Sequence, residues 1–226
     1  MKAIKILSFL ILIILSGCNK VATTSEDKKS VEEVQKFYGG SVVTNKGVET
    51  LNTQANDYFE LIIKDSKLIN KQPNRAISNA ANIAFIIFQN QNPDNYDLIK
   101  AKIILSDGTS ISKTFSKKEL LEVKNIYPEI EKFNSFLTSE NYKGILDMFD
   151  TKFKPEDHLV YEALSSMKSK LGAIKRIQFQ GFEFIDDSNL GHTILIREVS
   201  ERDNTFPFIN VAFDRKTKKL LNIEFP

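Results

Sequence analysis

Residues 173–185 read AIKRIQFQGFEFI, and the phase of their phenylalanines sets the architecture of the C-terminal part of the chain. Ile177 and Phe179 fall on one side of an extended backbone, Phe182 and Phe184 on the other. Side chains of a strand alternate between its two faces, so one extra residue is needed to return all four to a common buried face. Gly181 is where that residue belongs, because a β-bulge inserts a residue, bends the strand and favours glycine. Three more extended segments follow: His192 to Ser200, Phe206 to Asp214 and Leu220 to Phe225. A similar slip separates Phe206 and Phe208 from Ile209, Val211 and Phe213. The expectation is a curved antiparallel sheet of four strands wrapped around helices.

Upstream of that sheet the apolar period changes from two to that of a helix. Ser116 and Glu119 have the spacing of a capping box, and Pro128 is expected to interrupt the helical run before Ile130, Phe133 and Leu137 resume it. A helix over Asn141 to Phe149 follows, and another from Pro155 through Leu159, Ala163, Leu164 and Met167 to a stop at Gly172. Working further back, Ile99, Ala101, Ile103 and Leu105 alternate, Asp107 and Gly108 supply a hairpin turn, and Ile111 and Phe115 continue the second strand. From Pro73, the residues Ala76, Ile77, Ala80, Ile83, Ala84, Ile87 and Phe88 recur at helical spacing, with alanines small enough to let the helix lie close on a sheet. Extended segments are expected at Ser41 to Thr50 and Asp57 to Lys64. Ser30 and Glu33 give a capping box for a short first helix ended by Gly39 and Gly40.

The order of elements therefore predicts an α+β chain of two small domains. The N-terminal one is α-β-β-α-β-β over 30–115, and the C-terminal one, over 116–226, places three helices on a curved four-stranded antiparallel sheet. This second half resembles the cystatin-like α+β roll, a likeness carried by element order and by two short helices meeting at Ser139, Glu140 and Asn141. That family includes enzymes and inert binding modules, so the resemblance implies a fold and leaves function open.

The start of the chain carries a different signal. Lys2 and Lys5 precede an apolar run from Ile6 to Leu15, and the small residues Ser16 and Gly17 stand before Cys18. This is the layout of a secretory signal, and a run of about ten apolar residues is too short to span about 30 Å of hydrocarbon. Leu15, Ser16, Gly17 and Cys18 resemble the lipobox of bacterial lipoprotein precursors. The resemblance implies cleavage between Gly17 and Cys18, acylation of Cys18, and export to a membrane; Asn19, rather than Asp, after the cysteine is compatible with the outer membrane in hosts that read that position. Residues 1–17 are then the signal peptide and 18–29 a flexible tether of small and charged residues. With its one cysteine acylated, the remaining chain has no thiol for a disulfide, a nucleophile or a sulfur-bound metal.

The chain's formal charge of +2 is Lys2 and Lys5, so the part after the cleavage point is neutral and gives no electrostatic case for nucleic acid. His158 beside Glu156 and Asp157 reads as a solvated helix start. Asp186, Asp187, Ser188 and Asn189 lack the closing glutamate of a calcium loop and read as a hairpin turn. Asp147, Asp150, Glu156 and Asp157 are acids of a helix junction. No catalytic residue, metal or cofactor is assigned. One pocket is expected inside the C-terminal roll, lined by His192, Phe179, Phe182, Phe184 and Phe208, where a small apolar ligand would bind. The leading expectation is a non-catalytic ectodomain, held on a bilayer by acylated Cys18, that binds another envelope protein. The alternatives are that apolar-ligand module, or an enzyme using His192 or the clustered carboxylates.

Overall fold

The computed structural model describes residues 24–51 and 53–226. The first helix, α1 (Ser25–Tyr38), begins six residues earlier than a cap at Ser30 with Glu33 predicts. Its capping box is Thr24 with Asp27: Asp27 N–H donates to Thr24 Oγ1 at 3.2 Å and Thr24 N–H to Asp27 Oδ2 at 2.6 Å. Ser30 is buried one turn in, its hydroxyl donating to Glu26 O at 2.9 Å. The expected tether 18–29 is thus corrected over 25–29, which are helical. The cause is tertiary, since the Asp27 carboxylate also accepts from Lys46 Nζ and from Gln91 Nε2 at 2.9 Å, residues far along the chain.

Two antiparallel hairpins follow. β1 (Ser41–Leu51) pairs with β2 (Gln54–Lys64), and β3 (Leu98–Ile104) with β4 (Ser110–Ser116) across Asp107 and Gly108, where φ of the glycine is 87°. Between them lie a four-residue helix, α2 (Lys67–Asn70), a 3-10 turn at Pro73–Arg75, and α3 (Ala76–Asn90). α3 is the crossover that lets β2 and β3 pair in parallel, giving one sheet of order β1-β2-β3-β4. It is buried on nearly every side from Ser78 to Phe88, as a helix between two layers must be. It packs on β3 and β4 of the first sheet and on a strand of the second.

α4 (Lys117–Thr138) starts at the predicted box, Ser116 with Glu119, and runs unbroken through Pro128. The expected interruption is absent because Leu120, Val123, Ile126, Ile130, Phe133 and Leu137 form one buried stripe on both sides of the proline. That packing offsets the cost of roughly 3 kcal/mol that an interior proline carries. α5 (Tyr142–Met148) is capped by Asn141, whose Oδ1 accepts from Gly144 N–H at 2.9 Å, and α6 (Asp157–Leu171) stops at Gly172.

The second sheet is an antiparallel meander of order β5-β6-β7-β8, made of β5 (Arg176–Asp187), β6 (Gly191–Glu201), β7 (Phe208–Asp214) and β8 (Leu220–Glu224). The register shifts between Phe179 and Gly181, where φ is 134°, so the bulge stands where the phenylalanine phase puts it. A Cβ at Gly181 would lie 2.2 Å from Ser78 O of α3, so glycine is required by close approach as well as by φ. The slip expected around Phe206 is not a bulge. β7 begins at Phe208, which pairs with Val199 and faces outward, while Ile209, Val211 and Phe213 take the inner face. That inner face, with Phe182, Ile194 and Ile196, joins α3, α4 and the first sheet in one buried apolar cluster. The fold is α+β, with two four-stranded sheets and six helices among the described residues.

Candidate functional site

Gly17 and Cys18 lie outside the described residues. The other sequence-predicted residues do not converge on one pocket. The His192 side chain is 81% exposed at the start of β6, with Nδ1 2.6 Å from Asp186 Oδ1. Phe208 faces outward beneath the Arg75 guanidinium. Phe179, Phe182 and Phe184 do share the inner side, but their rings interlock with partners rather than enclose space. Phe85 of α3 lies 5.4 Å from Phe179 and 6.5 Å from Phe182, Phe115 of β4 lies 5.2 Å from Phe182, and Tyr127 of α4 lies 6.0 Å from Phe179. Such offset and edge-on contacts are what a filled aromatic core uses. Of the five, Phe184 borders a cavity of about 90 Å³ that opens to the surface, shared with Ile126, Ile194 and Arg215. Arg215 roofs it, stacking 4.5 Å over Phe184 and binding Glu122 Oε2 through Nε at 2.9 Å and Nη2 at 2.7 Å.

Sequence reasoning missed Glu198. On β6, Ile194, Ile196, Glu198 and Ser200 follow one another on the inner phase, so the side chain enters the core beside Phe179 of β5 and Ile209 of β7, and is 1% exposed. The signal was present as a glutamate on the apolar phase of an alternating strand. Asn134 Nδ2 of α4 donates to its Oε1 at 2.7 Å, while Glu198 Oε2 and Asn134 Oδ1 are buried without a partner. Burial pushes the carboxyl up to about 7, and the Asn134 bond opposes that rise only in part. Both orphaned atoms are acceptors. A proton on Glu198 supplies the missing donor, so acid and amide can satisfy one another, which is the state a dry core favours. A carboxyl tuned near neutrality is suited to proton transfer, yet Glu198 lines none of the cavities described.

The roomiest of these cavities is on the outside of the second sheet. It holds about 220 Å³ between the start of α3 and strands β5 and β6, lined by Asn74, Arg75, Ile77, Ser78, Glu183 and Arg197. The close approach at Gly181 builds it, since Ser78 Oγ donates to Gln180 O at 3.2 Å and pins the helix start to the bulge. Arg197 Nη2 binds Glu183 Oε2 at 3.1 Å. Arg75 lies on the Phe208 ring, and partial burial, then the Arg197 charge, hold its pKa below the usual guanidinium value. α3 begins without a side-chain cap or an acid in its first turn. Ile77 lines this cleft while exposed at its surface, and Phe206, two residues before Phe208, is exposed as well.

His158 Nδ1 meets Glu156 Oε2 at 3.4 Å, both exposed. Among the described residues no group of three or more His, Cys, Asp and Glu side chains is placed to hold a metal ion, and no helix is long and apolar enough to cross a membrane.

No protein-family model matches the chain, and no curated protein matches it. Among solved structures it is similar to "Structure of Bdellovibrio bacteriovorus Bd1075", at TM-score 0.35 and 10% identity, over 82% of this chain and 76% of that one. A likeness at that level shows neither fold family nor function.

Proposed function

We propose that this chain is an exported lipoprotein, anchored through acylated Cys18, whose folded part binds another envelope protein. The observation that carries the reading is the succession of Lys2, Lys5, the apolar run to Leu15 and the residues Ser16, Gly17 and Cys18. Two or three acyl chains, at about 0.8 kcal/mol per buried CH₂, anchor a protein durably. The start of α1 adds a constraint. From Cys18 to the cap residue Thr24 are six chain steps, which span at most about 20 Å, so the ectodomain sits close to the bilayer surface. The binding face in this reading is the outer cleft. Ile77 and Phe206 expose apolar surface beside Arg75 and Arg197, and apolar or aromatic side chains with arginine are the residue types that dominate protein interfaces.

The same reading takes two small domains, the first, 30–115, extended back to the start of α1 at Ser25 and the second 116–226, and takes the second as a cystatin-like roll. Its support is the order of α4, α5 and α6 followed by an antiparallel meander with a bulged first strand.

The test has two arms. Cys18→Ala should move the protein from the membrane to the soluble fraction and abolish incorporation of a labelled fatty acid; unchanged partition removes the anchor. A photo-crosslinking residue at Phe206 should yield a discrete adduct in intact cells, and one at Val43, exposed on β1, should not. Equal capture at both positions, or none at Phe206, removes the interface.

A further inference from the structure

The outer cleft between the start of α3 and strands β5 and β6 carries two guanidinium groups against one carboxylate. Arg197 binds Glu183 Oε2 at 3.1 Å, and Glu183 is the one acid in the lining. Arg75, half-buried, rests on the Phe208 ring and is in no ion pair among the described residues. The first turn of α3 holds no acid either. The cleft is open to solvent, so both charges are tolerable in the isolated chain, and what they set is the kind of surface they attract. Ile77, 50% exposed, lines the cleft, and Phe206, 62% exposed, precedes the ring beneath Arg75 by two residues. We infer that the bound partner presents an acidic segment here, an aspartate or glutamate with apolar neighbours, and that its carboxylate binds Arg75 beside Arg197. Arginine can meet a carboxylate through two parallel N–H donors, and Glu183 already places one carboxylate on Arg197. Complementary charge of this kind selects partners and speeds their approach. The inference rests on the partner-binding reading and adds the chemistry of what is bound.

Lipid phosphate offers the same charge, but the fold sets the cleft apart from the anchored end of the chain. α1 and α3 run antiparallel. Asp27 and Glu33 of α1 accept from Gln91 and Asn90 at the end of α3, at 2.9 and 2.5 Å, while Tyr38, the last residue of α1, accepts from Asn82 at 2.8 Å. α3 has 15 residues, and at about 1.5 Å per residue it is about 22 Å long. The chain therefore leaves the bilayer at the end of α3 far from Arg75, and the cleft stands about one helix length beyond that point. A protein segment is the source of negative charge that this arrangement suits.

The probe is a short fluorescein-labelled peptide of alternating aspartate and leucine, titrated with the full chain in non-ionic detergent and read by fluorescence anisotropy, with the asparagine–leucine peptide as control. The aspartate peptide should bind and the control should not. Arg75→Gln should weaken binding roughly fivefold, the upper range for an exposed ion pair. Glu183→Gln leaves Arg197 to the peptide and should tighten binding, a gain that misfolding cannot produce. Equal binding of the two peptides, no binding of either, or an unchanged affinity in either variant overturns the proposal. Lipid is tested with vesicles of phosphatidylglycerol: if the Cys18→Ala chain sediments with them and R75Q abolishes this, the cleft takes headgroups and the proposal falls. In intact cells, an adduct at Phe206 whose yield R75Q leaves unchanged keeps the interface and removes its acidic partner. No adduct at Phe206 removes the interface itself, and this proposal with it.

Discussion

Glu198 shows how much one side chain can set when it is buried. Its proton is held more tightly in the folded chain, with a pKa of about 7, than in an unfolded one, where the ordinary value is 4.5. The folded state therefore binds more protons between those values, and stability falls as pH rises. It is fully present below pH 4.5 and lost through pH 7, by about 3 kcal/mol in all, at 1.36 kcal/mol per unit. Glu198→Gln replaces the acid by an amide that can donate to Asn134 Oδ1 at every pH. The variant should lose the slope between pH 5 and 8 in urea unfolding and exceed the parent in stability at pH 8; an unchanged slope would place the titration elsewhere. Gly181 makes the opposite case, a residue without a side chain. A methyl group there meets the Ser78 carbonyl at 2.2 Å with φ at 134°, so Gly181→Ala should cost about 2–4 kcal/mol. Gly108, at φ 87° with nothing within 4 Å of its Cβ position, should lose only about 1 kcal/mol as alanine. Chemical denaturation of the two variants side by side checks the difference.

At the scale of elements, α1 and α4 show which local signals hold. Ser116 with Glu119 opens α4 as written in the sequence, because both partners of that capping box lie within one turn. Ser30 with Glu33 has the same spacing and caps nothing, because Thr24 and Asp27 open the helix first and Asp27 is fixed by Lys46 on β1 and Gln91 after α3. Burial acts to raise the Asp27 pKa, but the bonds from Lys46, Thr24 and Gln91 outweigh it and hold the carboxyl below its ordinary value. Its contribution to stability is therefore present at neutral pH and lost as pH falls through the acidic range. Asp27→Asn removes the charge that Lys46, Thr24 and Gln91 bind and should cost about 2–3 kcal/mol, read as a lowered urea midpoint, with faster amide exchange along α1 and β1. Pro128 teaches the same lesson in reverse, since a local breaker yields to a continuous buried stripe on either side of it.

At the scale of the molecule, α3 ties the halves together. Phe85 touches Phe179 and Phe182 of the second sheet, while the helix packs on β3 and β4 of the first. Phe85→Ala should therefore cost about 3–5 kcal/mol and shift the unfolding of both halves equally. Probes placed in the two sheets should report one transition, and separated midpoints would contradict the coupling. Element order, the Gly181 bulge and the Ser116 cap were legible in the sequence, because periodicity and capping are written within a few neighbouring residues. The parallel pairing of β2 with β3, the early start of α1, the meeting of Glu198 with Asn134, and the outer cleft at Arg75 and Arg197 were decided by tertiary structure alone. Each depends on groups tens of residues apart becoming neighbours in a medium without water, where a missing partner counts for more than any local preference.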